Sequence, residues 1–153
     1  MRLIQALRQP NEGKVLLHHE LVGLYEKVSE FLVATDASGV IVGAGALHVM
    51  WEDLGEVRSV VVSQNHRGQG IGHALVEALL HHASEMGLSR VFCLTFEVDF
   101  FAKHGFEEIS DVPVDEATFN ELIRSTDEGT AEFLDLARVK ENTLGNTRML
   151  RLL

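Results

Sequence analysis

Residues Ser63–His82 read SQNHRGQGIGHALVEALLHH. The segment leaves an apolar strand, passes Gly68, Gly70 and Gly72 within five residues, and runs straight into an apolar helical pattern. Glycine costs backbone entropy, and a plain strand-to-helix connection does not need three of them. Arg67, Gly70 and Gly72 fit the spacing R-x-x-G-x-G. Such a loop turns tightly and lets a ligand approach the main chain, while the first amides of the new helix lack intrahelical partners. Together these features suit an anion, and a pyrophosphate is the occupant they suggest. Two other phosphate motifs fail. There is no G-x-x-x-x-G-K-[ST], and His73 stands where G-x-G-x-x-G needs its third glycine or alanine. A glycine-rich turn that only starts a helix, with no ligand, fits the same residues.

The pattern around the loop sets its context. Leu17, Leu21, Leu24 and Val28 have helical spacing and predict a helix over residues 16–30. In that helix Tyr25, the one tyrosine, reads most simply as a core residue. FLVATD, VIVGAGALHVM and EVRSVVVS read as three strands, separated by turns at DASG (36–39) and EDLG (52–55). Turns this short mean an antiparallel meander. A helix follows from about Gly70 to Met86, with Gly87 as its left-handed cap. RVFCLTF (90–96) is apolar almost throughout, as a central strand covered on both faces should be. Reached through a helix, it should lie parallel to a neighbour. A short helix near Val98–His104, a strand at GFEEI, a helix N-capped by Asp115 and a last strand at NTRMLRLL complete the reading. The fold class is α+β: a mixed, mainly antiparallel sheet with helices on its faces.

One domain is expected from 153 residues, with 46% hydrophobic and 24% charged residues. Thirteen basic and 23 acidic residues give a formal charge of −10, which argues against nucleic acid and anionic membranes as partners. An anionic ligand must therefore be met by a local cluster of donors. No apolar run approaches the ~20 residues of a membrane span, and MRLIQALRQPNEG lacks the features of a signal peptide. A cytoplasmic location fits. Cys93 is alone, which excludes an intrachain disulfide and multi-cysteine metal sites, and it reads as a buried core thiol. His18–His19 and His81–His82 are adjacent pairs that cannot easily share an ion, so no metal is expected and a solvated face is the better reading.

EVRSVVVSQNHRGQGIGHALVEALLHHASEMG resembles the acetyl-CoA motif of the GNAT superfamily of N-acetyltransferases, and FFAKHGFEEI (100–109) resembles the family's second signature. The likeness extends from Lys14 to Leu153 toward the short, single-domain N-acetylglutamate synthases of actinobacterial type, through GALHVMWEDLGEVRSV, VFCLTFEVDFFAKHGF and EFLDLARVKENTLGNTRML. The resemblance implies a single GNAT domain over residues 1–153 with acetyl-CoA as co-substrate. It implies that Val60, Val61 and Val62 pair with the pantetheine arm along a strand edge that splays from its parallel neighbour. It implies further that Arg67, Gly68, Gln69, Gly70, Ile71, Gly72 and His73 hold the pyrophosphate, with Phe100 and Phe101 beside them. Two departures stand out. The strand that usually opens the family is missing or replaced by MRLIQAL, and Phe101 replaces the frequent general-acid tyrosine.

The implied chemistry needs a base, because an α-amine with a pKa of roughly 8 must lose a proton before it attacks. Glu56, eleven residues before Arg67, is the first candidate, and an exposed carboxylate at a strand start is the other reading. Glu97 and His48 are weaker ones. The N–H of Val60 is the expected oxyanion donor, and CoA thiolate can leave without an acid because a thiol pKa lies near 8.5. Arg58 shares the strand face of Glu56 and suits a substrate carboxylate, or it pairs with Glu52 or Asp53. Thr95, Lys103 and Arg148 are the remaining substrate candidates, with Arg148 equally suited to cap a helix. The resemblance thus implies acetyl transfer to the α-amine of L-glutamate, the first step of arginine biosynthesis. Two readings stand beside it. One is a GNAT enzyme for glutamine, another amino acid or a small amine, and the other is an acyl-CoA-binding sensor or partner subunit with little turnover. A homodimer stays open as the one macromolecular assembly.

Overall fold

The computed structural model describes residues 21–136 and 145–153. The expectations for His18–His19, for the start of the first helix and for MRLIQAL fall outside these residues. From Leu21 the chain forms α1 (Leu21–Glu26) and a 3-10 turn (Val28–Glu30). The helix expected to reach residue 30 ends at Glu26 because Lys27 leaves helical geometry, with φ −103° and ψ 16°. Leu24 is buried as expected, but Tyr25 is 58% exposed, which corrects its reading as a core residue.

The meander follows as β1 (Phe31–Thr35), β2 (Ile41–Trp51) and β3 (Leu54–Val62), antiparallel throughout. Asp36 fixes the first turn, its Oδ1 accepting from the amides of Ser38 at 2.8 Å and Val40 at 3.0 Å. The second turn is shorter than EDLG: Leu54 and Gly55 already belong to β3, paired with Trp51 and Val49 on one side and with Arg90 and Val91 on the other. The long helix α2 (Ile71–Glu85) leads through Gly87, at φ +83°, to β4 (Arg90–Thr95). Then come α3 (Val98–Ala102), β5 (Glu107–Glu108), α4 (Glu116–Leu122), α5 (Glu128–Phe133) and β6 (Thr147–Leu152). The α4 cap is the expected one, Asp115 accepting from Thr118 N at 2.7 Å.

The six-stranded sheet runs β1-β2-β3-β4-β6-β5. β6 inserts between β4 and β5 because it offers β4 six register pairs, Arg90–Leu152 to Thr95–Thr147, whereas β5 has two residues to pair. β4 is central as predicted, and its two faces feed two cores. Val91 and Cys93 pack with Val57, Val76, Leu79 and Met149 on the α2 side. Phe92 packs with Leu54, Leu122 and Phe133 on the side of α4 and α5. Cys93 is a buried free thiol, as its apolar context predicts.

Two irregularities of β3 place the site. It pairs in parallel with β4 only over Leu54–Glu56, opposite Arg90–Phe92, so the expected splay leaves β3 without a β4 partner beyond Glu56. Against β2 the register slips between Ala44–Val61 and Ala46–Arg58, and Ser59 takes the left-handed φ of 55°. This is a bulge, and it re-aims the strand. Val57 packs in the core under α2 before it, with Gly55 against Leu88 just past that helix, and Val60 and Val62 face α2 after it. Among the described residues no helix is long and apolar enough to cross a membrane.

Candidate active site

The glycine loop has the conformation its composition predicts. Gly68 and Gly70 take φ of +76° and +81°, and a Cβ on either would meet nothing within 4 Å, so the space beside both is open. Gly70 is the N-cap of α2 and brings no side-chain acceptor. A serine or aspartate there would occupy one of the first amides; glycine leaves them to a ligand, and the helix's own bonding begins with Ala74 N to Gly70 O at 3.0 Å. Phe100 lies against Gly72, where a Cβ would stand 3.4 Å from its ring, and stacks on His73 with ring centroids 4.6 Å apart. His73 Nδ1 shares a hydrogen bond of 2.8 Å with His104 Nε2. Burial and the neighbouring His73 hold the His104 imidazole below its ordinary range. The open glycines, the uncapped first turn of α2 and the free edge of β3 fit the pyrophosphate and pantetheine of CoA.

At the other end of β3 lies an ionic cluster. Glu56 is 2% exposed. Burial pushes its carboxyl up to about 7; Arg58 opposes this and Asp127 reinforces it. Arg58, on the same strand face, gives Nη1 to both oxygens of Asp127, at 2.9 and 3.1 Å, and Nη2 to Glu30 at 2.9 Å. Its contact with Glu56 is longer, 3.3 Å from Nη1 to Oε2. Lys27 donates to Asp127, and His48 Nδ1 lies 2.8 Å from Glu30. Burial works against ionisation of Asp127, but Arg58 and Lys27 outweigh it and hold the carboxyl well below the usual range. A cleft lined by Gly23, Lys27, Glu30, Arg58 and Ser59, among others, opens between α1 and β3 beside this cluster.

The sequence candidates separate accordingly. Glu56, Arg58 and His48 come together, and Val60, Val61 and Val62 follow the bulge toward the loop. Glu56 is enclosed, which corrects its alternative as an exposed strand-start carboxylate. Arg58 is not bound by Glu52 or Asp53; Asp53 pairs with Arg90 through two contacts of 2.9 and 3.0 Å. Of the phenylalanine pair only Phe100 reaches the loop. Phe101, expected beside the cofactor, instead turns into the core, 7% exposed, its ring 5.3 Å from Phe106. Thr95 is buried at the end of β4, where its Oγ1 accepts from Glu97 N at 2.8 Å and turns the chain into α3. Glu97 and Lys103 are exposed at the two ends of α3, away from the cluster at the start of β3. Arg148 acts as the helix cap: it donates to the carbonyls of Glu132 and Asp111, both at 3.0 Å, and of Phe133. Of the two expectations for Arg148, these contacts match the helix cap. His81 and His82 sit on the solvent face of α2 near Glu85.

Sequence reasoning missed Lys27, Glu30, Ser59, Asp127 and Gly129. Asp127 caps α5, its Oδ1 accepting from Thr130 N at 3.1 Å. The pattern Asp-x-x-Thr signals such a cap, yet says nothing of Arg58. Gly129 packs on Glu56 so closely that a Cβ would lie 2.1 Å from Oε2. Nothing local to residues 125–130 predicts that contact.

Residues 2–106 match the Acetyltransferase (GNAT) family. The chain belongs to that family: it is an N-acetyltransferase that takes its acetyl group from acetyl-CoA. It is 55% identical over 152 residues to the amino-acid acetyltransferase of Mycobacterium tuberculosis (strain ATCC 25618 / H37Rv), covering 98% of this chain and 87% of that protein. The crystal structure of Rv2747 from Mycobacterium tuberculosis in complex with CoA and NLQ shares the fold at a TM-score of 0.91 and 55% identity, over 98% of this chain and 92% of that one. N-acetylglutamate synthase from Neisseria gonorrhoeae, complexed with coenzyme A and L-arginine, is 25% identical with a TM-score of 0.70, over 98% of this chain but 30% of that one.

Proposed function

We propose that this enzyme acetylates the α-amine of L-glutamate to give N-acetyl-L-glutamate, the entry to arginine biosynthesis. The observation that carries the reading is the buried Glu56, its carboxyl near 7, set beside Arg58 at the head of a strand whose free edge runs to the CoA loop. Likeness to the amino-acid acetyltransferase of Mycobacterium tuberculosis supports an amino acid as acceptor, and the N-acetylglutamate synthase neighbour supports glutamate.

Acetyl-CoA supplies the thioester carbon that the amine attacks. Glu56 takes the proton from the amine, directly or through one water, and a base whose pKa lies near the working pH contributes roughly 10²–10⁴-fold. The main-chain N–H of Val60, just past the bulge, is the donor for charge on the carbonyl oxygen. No acid is required at position 101, since a thiol of pKa near 8.5 is a tolerable leaving group. Arg58 orients the acceptor's carboxylate in the cleft beside α1.

One observation favours a second acceptor. Arg58 already faces three carboxylates of its own chain, Glu30, Glu56 and Asp127. A neutral side chain, as in glutamine, would compete with them less. CoA release measured with a panel of amino acids decides: turnover preferring L-glutamate at least ~10-fold is expected. Preference for L-glutamine would replace the acceptor, and no turnover with any amine would overturn the reading.

A further inference from the structure

The geometry of Arg58 raises a question about Glu56. A guanidinium beside a carboxylate normally closes to a short, often bidentate pair of about 2.7–2.9 Å. Here it does not. Nη1 points both of its close contacts at Asp127, at 2.9 and 3.1 Å, Nη2 is held by Glu30 at 2.9 Å, and Glu56 receives only the 3.3 Å contact. Asp127 is fixed in turn by the cap bond from Thr130 N and by Lys27. The same turn of α5 lays Gly129 on one side of the Glu56 carboxylate.

We propose that Asp127 is a positioning residue for Glu56: by engaging Arg58 with both oxygens it keeps the guanidinium from closing on the Glu56 carboxylate, which stays available to accept a proton. The role in catalysis rests on Glu56 being the base.

The groups facing Glu56 fix the direction of the effect. They are Arg58 on its own strand, His48 on β2, Lys27 and Glu30 from the segment after α1, Asp127 on α5, and the Cys93 thiol on β4. Removing the charge of Asp127 frees Arg58 and Lys27 to act on Glu56 and deletes one negative neighbour. All three changes favour the ionised carboxylate, so its midpoint must fall. Arg58 already lies 3.3 Å from Glu56, so the fall comes from tightening that contact and from losing the like charge of Asp127, on the order of one pH unit.

The test uses Asp127→Asn and Asp127→Ser, both good N-caps that keep an acceptor for Thr130 N, with Asp127→Glu retaining the charge. The Glu56 carboxyl is titrated by carbon NMR on the free enzyme, and the pH profile of kcat/KM is measured with acetyl-CoA and L-glutamate. A fall of about one pH unit or more in both neutral variants, with Asp127→Glu near wild type, is expected. The acid limb of the rate profile should move with it. An unmoved NMR midpoint overturns the proposal, as does an equal shift in Asp127→Glu, which would mean that a carboxylate holding Arg58 is not what sets the Glu56 carboxyl. Glu56→Gln separates the two readings: if its acid limb persists, Glu56 is not the base, while the NMR midpoint still decides whether Asp127 sets the carboxyl.

Discussion

Gly129 and Glu56 touch so closely that a methyl group on Gly129 would stand 2.1 Å from Oε2 and 2.7 Å from the carboxyl carbon. The two residues belong to different elements, α5 and β3, and their contact roofs the buried carboxylate. A carboxylate enclosed in this way is poised near neutrality because burial disfavours its charged form.

Gly129→Ala should separate activity from stability. Alanine gains about 0.5–1 kcal/mol of helix propensity over glycine, while the new methyl displaces the end of a flexible side chain. Melting temperature is expected to move by only a few degrees, but kcat should fall ~10-fold or more as Glu56 leaves its position. Steady-state rates and thermal melts on the same preparation check this. An unchanged kcat would show that the observed position of Glu56 is not needed for turnover.

Glu56→Gln should lower kcat by roughly 10²–10⁴-fold and alter the pH dependence of stability. The carboxyl's ordinary value is 4.5 and its folded value about 7. Between these the native state holds a proton that the unfolded chain has released. This group's contribution is fully present below pH 4.5 and is lost as pH rises through 7, on the order of 3 kcal/mol. Asp127 runs the other way, its stabilisation being lost as pH falls below the ordinary carboxylate range. Urea unfolding from pH 5 to 8 should therefore show Glu56→Gln gaining on the wild type as pH rises. Parallel curves would mean that the carboxyl does not titrate in this window.

Arg148→Ala should act on folding. It strips donors from the carbonyls of Glu132 and Phe133, both buried, and of exposed Asp111, and each buried acceptor left unpaired costs about 1–3 kcal/mol. A loss of roughly 2 kcal/mol or more is expected in urea unfolding. A change below ~0.5 kcal/mol with a large rise in the KM for glutamate would return Arg148 to the substrate's second carboxylate.

Gly70→Ala tests the loop. The left-handed φ of +81° strains any side chain, by about 1–2 kcal/mol, but the added Cβ meets no protein atom. The fold should survive while CoA binding, read by calorimetry, weakens ~10-fold or more. Unchanged affinity would place the pyrophosphate elsewhere.

The elements that position the glycine loop were legible in the chain because their signals are local. Glycine at a left-handed cap, short polar turns, helical spacing in α2 and the apolar run of β4 each act within a few residues. The shared face of Glu56 and Arg58 followed from strand alternation alone. The tertiary structure decided the rest. The bulge at Ser59 depends on register against β2, which shifts the facing residues only after two strands have paired. The partners of Arg58 come from Glu30 and, 69 residues away, Asp127. They meet because Phe133 and Leu134 dock α5 on the face of β4 that carries Phe92. A carboxylate's pKa is set by the charges and the dry surface around it, and that surface exists only once distant segments have packed.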